Sequence, residues 1–401
     1  MLRDVSRSTW EFSRSDGFVI TPALRLQVGG KVTNHRYVNE TYWSLEDGRL
    51  CFLDGQRRVT TVFTDTATLE DGRRVLRGAF VPSRGEIVHV LTERLLGRAE
   101  LANPPPKVAV LVRTHVANTK VTDLLSILSE SACFDLFICA DCTKQELQYE
   151  GIQVLRHRRS DAAAANLPAL MPNLMWYCGD YALYFSFAQI PDYDYYMMIE
   201  YDVHIPDRSP LVMEGIINRL GFGTRTALDF IGCRCHEGSL EQGWGHTVAG
   251  VYPQAHLCQF PFVVLSRAAV EYLRAERQAE GARTTSAERL MFCEAFVPSA
   301  LRAGGFRCAD LNSILPKAVD AETFRVAADQ GPMLLTQKIL APTTRLLHPV
   351  YDEDNFISYF VSQARRTRDL RTLAALSRNE ADLPLSAQAR QTIEDALAEL
   401  A

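Results

Sequence analysis

The stretch MMIEYDVHI, residues 197–205, sets Glu200, Asp202 and His204 at alternate positions directly behind an apolar run. Alternate residues of an extended chain share a face, so the three side chains are expected to converge at one strand end. Two neighbouring carboxylates repel unless a cation or a proton neutralises them. Carboxylate oxygens suit a hard divalent cation that keeps open positions for substrate phosphates. The competing reading is a salt-bridged strand end with no ligand, and His204 fits either.

The choice between these readings depends on whether the strand is buried. From residue 107 the sequence alternates continuous apolar runs with amphipathic ones: KVAVLVRTH, TDLLSILSESA, FDLFICAD, ALYFSFAQI, then YYMMIEYDVHI. Strands without polar alternation, separated by helices, predict a mostly parallel sheet covered on both faces. Glu200 and Asp202 then fall at the carboxyl edge of that sheet, where open α/β folds bind ligands. Further α/β material follows: LVMEGIINRL (helix), TALDFIGCRC (strand), FPFVVLSRAAVEYLRAERQ (strand into helix) and ERLMFCEAFVPSALRAGG (helix).

Residues 17–93 read differently. Short β-branched and aromatic runs punctuated by VGG, EDG and DG predict antiparallel hairpins. ANPPPK can join neither a helix interior nor a central strand. The expected organisation is therefore an all-β domain over residues 1–100 (sandwich or open barrel), a proline linker at 101–106, an α/β domain over 107–360, and a helical tail at 361–401. Arg365, Arg366, Arg368 and Arg371 make the start of the tail basic, as a solvated helix face does.

The 401 residues are 47% hydrophobic, ample for sizeable cores, and the net charge of −5 gives no reason to expect a nucleic-acid partner. No apolar run approaches the length of a membrane span, and the polar start MLRDVSRSTWEFSRSDG lacks a secretory core. We therefore expect a cytoplasmic protein, with peripheral association at the inner membrane face through the basic tail or the acceptor. Cys139 and Cys142 form one C-x-x-C, and Cys233, Cys235 and His236 cluster, but no second matched pair completes a zinc site. The ten cysteines read as reduced and packed like small hydrophobes.

An apolar strand, a D-x-D-like acidic pair and a preceding helix together resemble glycosyltransferases of the GT-A fold, over roughly residues 107–350. In that family D-x-D holds Mn²⁺ or Mg²⁺ against the diphosphate of a nucleotide sugar. Glu200 stands here at the first acidic position, a departure that either carboxylate tolerates chemically. The resemblance implies nucleotide contacts from Arg113, Thr114 and His115 in VLVRTH, and a base or ribose contact from Asp141 in FICAD. It further implies a ribose or sugar contact from Asp180 in WYCGDYALY, and an acceptor-side role for Arg267 in the S-R of FPFVVLSRAAVEYL. His348, in LLHPVYDED, corresponds to a late histidine on the metal or diphosphate, and an imidazole favours Mn²⁺ over Mg²⁺. Inverting transfer needs a base within reach of the acceptor hydroxyl. Glu294 is the first candidate, Glu288 the second and Asp229 the third; Glu288 and Glu294 lie six residues apart, about 600° around a helix, so they cannot share a face. Retaining enzymes need no such base, and the sequence leaves the stereochemistry open.

The implied activity is metal-dependent transfer of a sugar from a nucleotide-sugar donor to a glycan or glycoconjugate acceptor, such as a bacterial-type surface polysaccharide. Two other classes compete. A metal-dependent hydrolase could be built on E-x-D-x-H, although such sites usually draw further His or Asp ligands. A non-catalytic carbohydrate-binding protein would not need a buried acidic pair.

Overall fold

In the computed structural model the chain forms two compact units, residues 1–104 and 105–401. It is described throughout except at residues 1–4, 6–7, 27–29, 34–37, 85, 95–105, 132, 222–223, 225, 326–330, 336–343, 379–382, 384 and 401. Most of the expected proline linker thus lies outside the described residues.

The first unit is all β. Its strands are β1 (Thr9–Arg14), β2 (Val19–Leu26), β3 (Val32–Thr33), β4 (Tyr42–Glu46), β5 (Arg49–Leu53), β6 (Val59–Thr68), β7 (Arg74–Phe80) and β8 (Val88–Glu93). They pair antiparallel in the order β3-β2-β1-β8-β7-β6-β5-β4. The two edges then meet: Lys31 bridges Tyr42, and the Val32 and Trp43 N–H groups donate to Thr41 and Gly30 carbonyls. The sheet thereby closes into an up-and-down barrel, neither a sandwich nor an open barrel. An eight-stranded barrel is just wide enough to be filled by side chains. Trp10, Phe12, Phe52, Phe63, Leu24 and Leu91 fill this one, with Phe12–Phe52 and Phe52–Phe63 edge to face.

The second unit is mixed α/β. Its large sheet contains β9 (Val108–Thr114), β10 (Asp135–Asp141), β11 (Gln153–His157), β12 (Tyr195–Glu200), β13 (Phe230–Gly238), β14 (Ala255–Ser266) and β15 (Cys308–Asp310). The order is β11-β10-β9-β12-β14-β13-β15, with four of the six pairings parallel and β14 antiparallel to both neighbours. β12 is the fourth strand of this unit, because the segment QVLRH forms β11. Alternate residues of β9 and β12 feed two cores. Ala109, Leu111, Tyr196 and Met198 face the helices Tyr181–Gln189, Arg267–Arg283 and Cys293–Ala303, while Val108, Val110, Met197 and Ile199 face helix Thr119–Leu128.

A third core gathers the helices Glu353–Thr367, Arg371–Ser377 and Ala387–Leu400 around Leu373 and Ile393. The expected boundary at residue 360 falls inside the first of these helices, which Asp352 starts by accepting from the Asn355 N–H. Residues 333–334 and 350–351 pair as a small parallel ladder, β16 (Met333–Leu334) with β17 (Val350–Tyr351).

Candidate active site

The chain runs from β9 outward to β10 and β11, then returns to add β12 on the other side of β9. That reversal opens a crevice beyond the carboxyl ends of β9 and β12, the position where open α/β sheets bind ligands. Arg113 and Glu200 sit there directly opposite one another in the β9–β12 register, on the face shared by helix Cys293–Ala303. Arg113 Nη1 donates to Glu200 Oε1 at 2.5 Å, and its Nη2 donates to the Met175 carbonyl. Gly179 makes room for this guanidinium: a Cβ there would lie 2.9 Å from Arg113 Nη1.

β12 ends at Glu200 because Val203 N–H turns back onto the Glu200 carbonyl. The alternation assumed for residues 200–204 therefore breaks. Asp202 still reaches the crevice, but His204 leaves it. Its Nδ1 lies 3.3 Å from Lys120 Nζ and 3.9 Å from Asp123 Oδ2, and burial next to Lys120 lowers its pKa to about 4. His204 serves instead through its backbone, exchanging two hydrogen bonds with Leu347. The next contact in that pairing, Val350 N–H to the Asp202 carbonyl, lays residue 348 against the acidic pair.

His348 Nε2 lies 3.7 Å from Asp202 Oδ1 and 3.9 Å from Glu200 Oε2. Ligand atoms of Glu200, Asp202 and His348 all fall within 4.8 Å of one another. Asp202 Oδ1 is buried with no hydrogen-bond partner among the described residues. Burial pushes its carboxyl up to about 6, with the Glu200 charge adding to the rise and His348 opposing it. His348 Nδ1 sits 3.1 Å from the Arg325 carbonyl, so that nitrogen is the donor and Nε2 keeps its lone pair free. A ring fixed by a backbone carbonyl in this way is the usual arrangement of a metal-binding histidine. The separations of 3.7 and 3.9 Å are below twice a metal–oxygen bond of about 2.1 Å. The donor set, two carboxylates and an imidazole around an orphaned buried oxygen, fits Mn²⁺ or Mg²⁺, and the imidazole inclines it to Mn²⁺.

Glu294 lies in the first turn of helix Cys293–Ala303 and accepts from the Phe260 N–H at 3.0 Å. Among the described residues it has no arginine partner. Burial raises its pKa to about 7, the Phe260 hydrogen bond opposing and the Glu200 charge adding. A carboxyl half protonated near neutral pH beside the crevice suits proton transfer. Glu288 belongs to a separate 3-10 turn, Ala287–Arg289, and is exposed. Residues 290–292 run extended between that turn and the helix, so the single helix expected over 288–305 does not form.

The remaining candidates divide by location. Thr114 is buried and closes a local turn with Val116. His115 packs edge to face on Tyr201, its pKa lowered by burial and then by Arg113. Asp141 ends β10 on the crevice side, accepting from the Thr143 N–H. Asp180 does not line the crevice. It is fully buried, bound bidentately by Arg277 at 2.8 and 2.9 Å and by the Tyr184 hydroxyl at 2.8 Å. Asp229 and Arg267 lie at the opposite edge of the sheet, because β14 runs antiparallel and Ser266 pairs with Tyr195 at the start of β12. That is five residue steps, about 17 Å, from Glu200. There Asp229 accepts from Ser266 and the Arg307 N–H, and Arg267 donates to the Tyr193 carbonyl.

Two features escaped the sequence. Lys120 is buried at 1% exposure on helix Thr119–Leu128, its pKa lowered to about 8 by desolvation against the pull of Asp123 and Asp202. Trp176 and Trp244 stand beside the crevice at 57% and 40% exposure. A lysine in an amphipathic helix and single tryptophans in the short helical turns Leu174–Tyr177 and Gly243–Val248 carry no spacing signal.

No family model matches the chain, and no curated protein matches it. Among solved structures it is similar to glucosyl-3-phosphoglycerate synthase from Mycobacterium tuberculosis. The complex with Mn²⁺, UDP and glucosyl-3-phosphoglycerate is 14% identical with a TM-score of 0.31, over 54% of this chain and 74% of that one. The complex with Mn²⁺, UDP-glucose and glycerol 3-phosphate is 16% identical with a TM-score of 0.31 over the same shares. The complex with Mn²⁺, UDP and phosphoglyceric acid is 16% identical with a TM-score of 0.28, over 44% and 61%. Likeness at this level leaves the reading of the site to its own geometry.

Proposed function

We propose that the chain is a metal-dependent glycosyltransferase of the GT-A type, using a nucleotide-sugar donor. The observation that carries this reading is the meeting of Glu200, Asp202 and His348 at the sheet's switch point, around a buried carboxylate oxygen with no hydrogen-bond partner among the described residues. These three residues would hold Mn²⁺ or Mg²⁺, which would supply charge neutralisation for a diphosphate leaving group. Arg113 adds a fixed cation at the same edge, steadied by Glu200 and the Met175 carbonyl. Asp141 and the open cleft of about 440 Å³ lined by Thr143, Arg158, Arg159, Ser160, Ala163 and Ala169 offer the donor nucleoside a seat at the ends of β10 and β11. Glu294 takes the proton from the acceptor hydroxyl as that oxygen attacks the sugar, which makes the enzyme inverting. A hydrolase built on E-x-D-x-H is less well supported, since His204 contacts Lys120 and Asp123.

The test is turnover. Incubation with UDP-, GDP-, ADP- and dTDP-linked sugars, Mn²⁺ and a panel of oligosaccharide acceptors is expected to release nucleoside diphosphate from one donor class as its sugar passes to an acceptor hydroxyl, and EDTA is expected to stop it. Metal-stimulated cleavage of simple phosphoesters, with all nucleotide sugars left intact, would replace transfer by hydrolysis.

A further inference from the structure

Trp176, Tyr177, Trp244 and Phe292 form one aromatic cluster. Trp244 and Phe292 have ring centroids 4.2 Å apart and nearly parallel at 30°, Trp176 meets Phe292 at 5.4 Å, and the two indoles meet edge to face at 6.4 Å. Phe292 is buried at 4% and Tyr177 anchors its hydroxyl on the Leu290 carbonyl, so these two form the floor. The two indoles form the surface, and neither indole N–H has a hydrogen-bond partner among the described residues. Exposed apolar surface of this kind, fixed in place, marks an interaction site more often than a monomer's ordinary exterior.

Its connections say what it serves. Trp176 follows Met175, whose carbonyl holds Arg113, which in turn holds Glu200. Trp244 is tied from the other direction: Thr247 Oγ1 donates to the Trp244 carbonyl and accepts from the Phe292 N–H, two residues before Glu294. Gly245 lets this loop pack against Ser239, whose carbonyl oxygen would lie 1.9 Å from a Cβ there. One indole is thus positioned by the metal side of the site and the other by the proposed base. Both indoles belong to segments that are bonded to residues of the site.

We propose that this pair of tryptophans is the acceptor subsite and that its occupant is a neutral sugar ring, so that the acceptor is a glycan and not a small phosphorylated acid. The inference rests on the transferase reading above. A pyranose presents a face of C–H groups to an indole face and hydroxyls to an indole N–H, matching an apolar body with a polar tip. The four rings contribute no cation to attract an anionic acceptor. Trp244's link through Thr247 and Phe292 to the helix that carries Glu294, with Trp176 tied to Arg113 through Met175, assigns the platform to the acceptor and not to the donor base.

Tryptophan fluorescence of the full chain tests this, with maltotriose, cellotriose, chitotriose and mannotriose as neutral probes and 3-phosphoglycerate as the charged one. At least one trisaccharide is expected to give a saturable change in the presence of Mn²⁺ and UDP. Trp176→Ala and Trp244→Ala are expected to weaken that binding about tenfold each. Both variants should bind Mn²⁺ and UDP as the parent does, which shows that they are folded. Response to 3-phosphoglycerate alone, no response to any trisaccharide, or trisaccharide binding unchanged in both variants would overturn the proposal while Mn²⁺–UDP binding upheld the transferase reading. Trisaccharide binding lost in the variants, with no Mn²⁺–UDP binding in any protein, would keep the platform and overturn the transferase reading instead.

Discussion

Glu294 combines a high proton affinity with a place beside the acidic pair, and its consequences can be measured separately. Burial favours its neutral form, so the base is idle below its pKa of about 7 and active above it. The acid limb of kcat/KM is therefore expected near pH 7, and Glu294→Gln is expected to lose roughly two to four orders of magnitude in turnover with little change in donor affinity. A full-activity variant would remove Glu294 from the mechanism. For stability the sign is opposite. A folded-state pKa above the unfolded value near 4.3 means that this group's stabilisation is complete at low pH and is lost as pH rises through about 7. Metal-free Glu294→Gln should thus melt no lower than the parent at pH 8, by calorimetry. The two histidines make a second pair of predictions. His348→Ala is expected to lose Mn²⁺ binding by titration calorimetry, and His204→Ala to retain it; the reverse pattern would reassign the site. Glu200 was legible because strand alternation holds to the end of β12, whereas Asp202 reaches the crevice from the turn that follows it. His204 was misread because the chain turns at Val203. The approach of His348 depends on a pairing with residues 202–204 that no local pattern announces.

Among the elements, the helix starting at Cys293 is held by a buried ionic network. Arg277 joins Asp180, Glu280 and the Met291 carbonyl, and Glu280 accepts from the Met291 N–H at 2.7 Å. Arg277 and Asp180 are fully buried, and the guanidinium lies 3.9 Å over the Phe296 ring. This network fixes residue 291, and with it the approach to Phe292 and Glu294. Removing Asp180 leaves Arg277 paired with Glu280 but takes the acceptor from two of its N–H groups and from the Tyr184 hydroxyl, at about 1–3 kcal/mol for each buried group left unsatisfied. Asp180→Ala is accordingly expected to lower the urea midpoint of the second unit strongly. A variant of unchanged stability but weaker donor affinity would restore Asp180 to the crevice. Sequence pattern placed Asp180 correctly before a helix, yet partners nearly a hundred residues away decide its role. The same limit applies to Arg267: the strand and the helix were legible, but the antiparallel direction of β14, which puts it at the far edge, was not, whereas Asp229 lies at that edge because it precedes β13, which runs in the direction of β12.

At the scale of the whole molecule, the barrel and the α/β unit each enclose their own core. Residues 105–401 alone are expected to fold, by circular dichroism, and to bind Mn²⁺ like the full chain; aggregation of that fragment would join the two units into one folding body. No helix among the described residues is long and apolar enough to cross a membrane. The change from hairpin punctuation to buried parallel strands was legible, whereas barrel closure was not, since it rests on pairing between residues 30–32 and 41–43 that no local pattern announces. The central claim is that Glu200, Asp202 and His348 form a cation site that serves a nucleoside diphosphate. Its most direct test is a Mn²⁺ titration followed by electron paramagnetic resonance, with and without UDP, on the parent and Asp202→Asn. The account predicts one Mn²⁺ per chain, tighter with UDP, weaker as pH falls below about 6 where Asp202 holds its proton, and absent in Asp202→Asn. Mn²⁺ binding of equal strength in Asp202→Asn, or no binding to the parent at pH 8, would contradict it.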